Sequence, residues 1–213
     1  MMRLLEHVAK CRCRQYGIPT LESIVVYSTS DVEMAWNKLR NQRIIAKAQS
    51  QIEKRARWGG IKVVSDLSDC KIFIQYLFDK GLKINGKHVP VESVLLERFI
   101  EIESEFIVQI EQQENDLWLS HSLDIDIDTD KFIDQNNISK IYFVQNGIFD
   151  GDTIIDFLRS LNFSKKLLGE GLGLFYGLWK LFLDFHCTKI TLSPLVTYQD
   201  QLFVLGIEID TQS

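Results

Sequence analysis

Cysteine and histidine are scarce in this 213-residue chain, four of each, and they are scattered. Cys11 and Cys13 stand two apart on a predicted helix, where side chains do not face each other. None of the cysteine spacings suits a zinc site or a disulfide framework, so the chain reads as a protein of the reducing cytoplasm. His7, His88, His121 and His186 are too dispersed to form a site and are read as structural. Long apolar runs are missing as well. The most apolar segment, Gly171 to Phe185, falls short of the roughly 20 residues of a membrane span and contains Lys180 and Asp184. It predicts a buried or half-buried helix, and no membrane partner. The opening MMRLLEHVAKCRCRQYG is too charged for a secretion signal. A surplus of positive charge is also lacking: the net charge of −5 excludes the broad basic surface that nucleic-acid binding needs.

What is present suits a soluble globular protein with a real core, 46% hydrophobic with both charge signs well represented. Apolar residues at helical spacing predict a helix over Leu4 to Tyr16, stopped by Gly17-Ile18-Pro19. Ser23 to Tyr27 reads as a strand. Ser30-Asp31 offers an N-cap for a helix over Val32 to Leu39, with Met34, Ala35 and Trp36 near its buried side. A strand to Lys47, a loop and a strand from Ile61 follow, and Ser65-Asp66 caps a helix over Leu67 to Phe78 with Leu67, Ile74, Leu77 and Phe78 inward. Gly86 and Pro90 punctuate a connection. Val94 to Glu97 and Glu105 to Glu111 read as antiparallel strands, Glu114-Asn115-Asp116 as a turn into Leu117 to Ser120, and Ile141 to Gln145 as a further strand. Helices near Thr153 to Leu161 and Lys165 to Phe185 precede a closing hairpin, Lys189 to Leu192 paired with Gln201 to Ile209. The expected class is α+β, without internal repeat or low-complexity linker.

The stretch Arg43 to Val64, RIIAKAQSQIEKRARWGGIKVV, carries the clearest chemistry. A short apolar run ends on Lys47, a mostly polar and basic segment follows, and Gly59-Gly60 leads into a second apolar run. That is a strand, a cationic loop and a strand. A lysine at a strand end beside such a loop can hold a phosphate as a point charge.

This stretch resembles the nucleotide-binding loop of the ATP-grasp ligases, in particular the β subunits of succinyl-CoA synthetases. The likeness extends through LLEHVAKCRCRQYGIPT, KVVSDLSD, VESVLLERFIEIESEF and LSPLVTYQDQLFVL, which match the family's opening helix, second nucleotide-lobe strand, hinge and closing hairpin. It implies an ATP-grasp fold of two interlocked α/β lobes across residues 1–213. Residues 21–100 would form a small lobe inserted between 1–20 and 101–213, which form the larger one. It further implies that the family's C-terminal flavodoxin-like ligase domain is absent and that a second protein subunit is the partner.

The same resemblance assigns candidate residues. Lys47 matches a phosphate-contacting lysine. Lys54, Arg55, Arg57, Gly59 and Gly60 stand in the glycine-rich phosphate loop, where Glu53, Lys54 and Ala56 replace three glycines whose backbone would approach the phosphates. Glu97 and Glu105 match acids that contact the nucleoside. The implied cofactors are ATP and Mg²⁺. For the metal, Thr191 and Ser193 stand where the family has glutamate and asparagine, and Gly206 where it has aspartate. Glu208 and Asp210 share a face with Gly206 and are candidate replacements, with Ser193 as a third ligand. The implied activity is ATP-dependent acid–CoA ligation with impaired or lost turnover. The alternative is an inactive ATP-grasp relic acting as a protein-interaction or regulatory subunit.

Two further patterns are set aside. The run Asp124, Asp126, Asp128, Asp130 imitates an EF-hand loop but has Thr129 and Gln135 where glycine and glutamate are required. Gly169, Gly171 and Gly173 lack a preceding strand, and Leu174 occupies the third glycine position of the dinucleotide fingerprint, so they are expected to let two helices approach closely.

Overall fold

A computed structural model describes residues 2–39, 43–50, 52, 55–114, 116–123 and 139–212. In chain order these form β1 (Met2–Arg3), α1 (Glu6–Gln15), β2 (Ser23–Val26), α2 (Val32–Leu39), β3 (Ile44–Gln49), β4 (Ile61–Val64) and α3 (Leu67–Lys80). Strands β5 (Leu82–Ile84), β6 (Lys87–Val89), β7 (Ser93–Arg98), β8 (Ser104–Gln113), β9 (Asp116–Ser122), β10 (Ser139–Gln145) and β11 (Ile148–Phe149) follow. The chain closes with α4 (Gly151–Ser160), α5 (Lys165–Asp184), β12 (Cys187–Tyr198), β13 (Gln201–Val204) and β14 (Ile207–Thr211). The chain divides into two units, Leu21–Ile100 and Met1–Thr20 with Glu101–Ser213.

The smaller unit is built on an antiparallel sheet in the order β2-β7-β3-β4. Strand alternation sends Ile44, Ala46 and Ala48 of β3 and Val94 and Leu96 of β7 into one core with Val32, Ala35 and Leu39 of α2 and Cys70, Ile74 and Leu77 of α3. On the other side of these strands Lys47, Gln49, Ser93, Leu95 and Glu97 are buried as well, while Ile45 is half-buried, and Arg98 at the end of β7 is exposed. The second face of this sheet thus carries the buried polar side chains Lys47, Gln49, Ser93 and Glu97 beside Leu95.

Several local expectations change here. Met34 is exposed, because the stripe of α2 that packs inward passes through Val32, Ala35 and Leu39. The cap before α2 is Ser28, whose capping box with Asp31 starts a short 3₁₀ turn, Thr29–Asp31. Strand β3 runs two residues beyond Lys47. The connection punctuated by Gly86 is a hairpin, β5–β6, and Asn85 and Gly86 both take the positive φ of its two-residue turn.

The larger unit holds an eight-stranded sheet in the order β1-β14-β12-β8-β9-β10-β11, with β13 also paired to β12. One face, including Val108, Ile110, Leu119, Ile190, Leu192, Ile207 and Ile209, shares a core with Ala9 and Cys13 of α1 and with α4 and α5. Helix α5 contributes Leu167, Leu174, Phe175, Leu178, Leu181 and Phe182 at helical spacing. Of its glycines, Gly171 meets Leu158 of α4, where a Cβ would lie 2.6 Å from Leu158 Cδ1, whereas Gly169 and Gly173 face open space. Close helix packing therefore explains only Gly171 of that trio. Strands β7 and β8 are antiparallel members of different sheets, and so do not pair with each other. The closing hairpin is two pairings on one long strand: β12 meets β13 over Leu195–Tyr198 and β14 over Cys187–Leu192.

The opposite face of this sheet is polar. Cross-strand register sets Trp118, Glu111, Lys189, Asp210 and Arg3 in one row, and Ser120, Gln109, Thr191 and Glu208 in the next.

Candidate functional site

In the smaller unit, Lys47 lies opposite Leu95, and Glu97 lies opposite Ile45, so the two share a face one diagonal step apart. Lys47 Nζ lies 2.5 Å from Glu97 Oε2, with the carboxylate side chain only 1% exposed. A cation and an anion withdrawn from water must sit against a partner of opposite charge, and these two do.

After β3 the basic segment turns back onto it. Arg55 to Trp58 form a 3₁₀ turn, in which Gly59 N–H donates to Ala56 O (3.1 Å) and Gly60 N–H to Arg55 O (2.8 Å). Ala48 N–H donates to Gly60 O at 2.7 Å, and Arg55 Nη1 donates to Ala48 O at 2.7 Å. The turn therefore uses its glycine N–H groups internally. Gly59 needs its positive φ of 72°, and a Cβ on Gly60 would meet Arg55 O at 3.0 Å. Arg57 is exposed. Lys54 lies outside the described residues, as does the run from Asp124 to Asp130. At the far end of β7, the Arg43 guanidinium stacks on Phe99, 3.9 Å from the ring centroid.

The other candidates belong to the larger unit. Glu105 is half-buried on β8 opposite Val196. Ser193 is exposed at the cis Ser193–Pro194 bond, and its N–H donates to Gly206 O at 2.9 Å. Asp210 is buried and takes two hydrogen bonds from Arg3, Nε to Oδ1 at 2.7 Å and Nη2 to Oδ2 at 3.0 Å. Glu208 Oε2 lies 3.4 Å from Arg3 Nη1. Sequence reasoning missed Arg3: it is 207 residues from Asp210, on a two-residue strand with no local signature. It missed Lys10 too, a fully buried lysine whose Nζ donates to Leu205 O at 2.8 Å and pairs with Glu6 at 3.2 Å.

The three buried thiols, Cys13, Cys70 and Cys187, supply no ready nucleophile. Burial pushes Cys13 and Cys187 up to about 12 and Cys70 up to about 11, so each stays protonated near neutrality. Burial against Phe157 lowers the pKa of His121, which keeps that imidazole neutral. Among the described residues, no three His, Cys, Asp or Glu side chains gather into a metal cluster.

The description of the ATP-grasp domain matches residues 3–197. The chain belongs to the ATP-grasp family. Curated relatives of this ATP-grasp chain are β subunits of ADP-forming succinate–CoA ligases. That of Aquifex aeolicus is 33% identical over 113 residues, covering 51% of this chain and 29% of the relative. That of Pseudomonas aeruginosa is 26% identical over 222 residues, covering 100% and 57%. The chain thus spans little more than half the length of the relatives it matches end to end. Two solved structures share the ATP-grasp fold. The dinucleotide-forming acetyl-coenzyme A synthetase 1 of Ca. Korarchaeum cryptofilum, in complex with coenzyme A and Ca-AMPCP, superimposes with a TM-score of 0.75 at 16% identity, over 99% of this chain and 93% of that one. ATP citrate lyase of Methanothrix soehngenii gives 0.73 at 14%, over 97% and 50%.

Against the expectation that Ser193, Glu208 and Asp210 gather a divalent ion, the donor set of this ATP-grasp chain does not fit Mg²⁺. Mg²⁺ takes near-octahedral oxygen ligands that include carboxylates. Both Asp210 oxygens accept from Arg3, and Glu208 pairs with the same guanidinium. Gly206 has no side chain and no space for one, since a Cβ there would lie 1.9 Å from Ser193 O.

Proposed function

We propose that this chain is a nucleotide-binding part of an acid–CoA ligase-like assembly, with weak or lost turnover of its own, working beside another subunit. The observation that carries the reading is the buried Lys47–Glu97 pair at the head of the basic turn Arg55–Trp58. Lys47, Arg55 and Arg57, with the Gly59-Gly60 turn and Lys54, would attract the phosphates of ATP, and Glu97 would accept from nucleoside hydroxyl or amino groups. A lysine already held by a carboxylate must be shared with or released to the phosphate, so binding is weaker than at a lysine facing water. The folded-down turn, whose glycine N–H groups donate within the chain, supports slow or absent phosphoryl transfer. The relatives' description as β subunits supports a partner chain, and acid–CoA ligation would need its contribution.

Isothermal titration with ATP tests this. Binding that weakens by about tenfold or more in Lys47→Ala, a change of ~1.4 kcal/mol, is the expected result. No heat and no rise in melting temperature at millimolar nucleotide would reject it. The second reading, an ATP-grasp relic kept for protein assembly, is favoured by the same internal neutralisation of Lys47 and Asp210. It predicts that null titration together with a stable complex on pull-down.

A further inference from the structure

On the polar face of the larger sheet the carboxylates of Asp210 and Glu208 are held by Arg3, with Lys189 as a second cation beside Asp210. Arg3 Nε and Nη2 hold the two oxygens of Asp210, Arg3 Nη1 reaches Glu208, and Lys189 Nζ stands 4.0 Å from Asp210 Oδ2. Asp210 is 3% exposed at its side chain, against 21% for Arg3, so the guanidinium lies on the more open side of the acid. A planar fork of donors matches a carboxylate bidentately and carries its charge at every accessible pH. Beside this group lie two neutral side-chain oxygens, together with the Glu111 carboxylate opposite Lys189. Thr191 Oγ1 and Gln109 Oε1 sit on directly opposed residues, both buried and without a hydrogen-bond partner, while Gln109 Nε2 donates to Glu111 at 2.6 Å. The contact between Ser193 O and Gly206 closes the remaining position to any side chain.

We infer that Arg3 stands in for a divalent cation on this face, so that the chain binds its polyanionic ligand metal-free. A divalent ion placed near Asp210 would face Arg3 and Lys189 at short range, with both carboxylate oxygens already accepting bonds. The guanidinium is covalently part of the chain and cannot be diluted or chelated away. The nucleotide half of this inference rests on the function proposed above; the metal half does not.

The test has a metal arm and a nucleotide arm. Mn²⁺ alone is titrated into the wild-type chain and followed by electron paramagnetic resonance. No site tighter than about 1 mM is expected, and a sub-millimolar site that disappears in Asp210→Asn would overturn the inference. Arg3→Gln frees both carboxylates and is expected to tighten Mn²⁺ binding by about tenfold or more. A folded Arg3→Gln variant with unchanged Mn²⁺ binding would also overturn it, and if that variant does not fold the wild-type titration still decides. For the nucleotide, ATP affinity measured in EDTA and in excess Mg²⁺ should agree within about twofold, whereas about tenfold tighter binding with Mg²⁺ would contradict the inference. ATP that binds in neither condition defeats the proposed function, and the Mn²⁺ arm then decides the metal question by itself.

Discussion

Replacing Gly206 by alanine adds one methyl group where the backbone leaves no space. The new Cβ would lie 1.9 Å from Ser193 O and 2.8 Å from Ser193 C, and real Cβ contacts essentially never fall below 3.0 Å. The obstruction is main chain, so no side-chain rotation relieves it, and β12 and the segment before β14 must part by about 1 Å. Two short hydrogen bonds span that gap, Ser193 N–H to Gly206 O at 2.9 Å and Leu205 N–H to Pro194 O at 3.0 Å. Overpacking costs about 1–3 kcal/mol, and weakening each bond about 1 kcal/mol. Gly206→Ala should therefore destabilise the chain by about 4 kcal/mol, close to 10 °C in Tm for a protein of this size. The control is Gly173→Ala, at an exposed position of α5 with nothing within 4 Å of the new Cβ. There alanine should stabilise by about 0.5–1 kcal/mol through helix propensity. Urea unfolding with an unchanged m-value measures both. A Gly206→Ala variant within about 1 kcal/mol of wild type would refute the steric reasoning, and with it the argument that no acidic side chain fits there.

Three further outcomes follow from burial and capping. His121 has a folded pKa below its ordinary value of 6.5 because burial disfavours the imidazolium; the unfolded chain then binds the extra proton, so stability falls as pH drops below 6.5, by at most about 1.4 kcal/mol per pH unit. His121→Leu should flatten that part of the pH–stability curve, and an unchanged slope would show that other groups set it. With an aromatic disulfide reagent near pH 8, Cys11, the exposed thiol, should react within minutes, while Cys13, Cys70 and Cys187 should wait for unfolding; rapid modification of more than one thiol would contradict the described burial. Asp150 accepts from the N–H groups of Asp152 and Thr153 at the start of α4, and Asp150→Ala should cost about 1 kcal/mol in a urea midpoint.

How much of this was legible depended on the range of the signal. Helix α5, the strand–turn–strand around Lys47 and the cap at Asp66 follow from local periodicity and side chains that bond their own backbone. The β5–β6 hairpin also had a local sign, Asn85-Gly86, which outranks the proline at 90 as a turn signal. Met34 was misplaced because a helix of eight residues allows more than one apolar stripe, and packing against α3 and the sheet selected the one through Ala35. That Val94–Glu97 and Glu105–Glu111 enter different sheets depends on tertiary pairing, which strand patterns do not encode. For the site, Lys47 and Glu97 were named separately, and only the register of β3 against β7 joins them. Arg3 had no local sign at all, because its meaning comes from a partner at the other end of the chain.

The central claim is that Lys47 and its basic turn bind a nucleotide. The most direct measurement is a calorimetric titration of ATP into wild-type protein and into Lys47→Ala. The account predicts saturable heat with wild type and a loss of about tenfold or more in affinity with the variant. Equal affinities for the two proteins, or no heat from wild type at millimolar ATP, would contradict it.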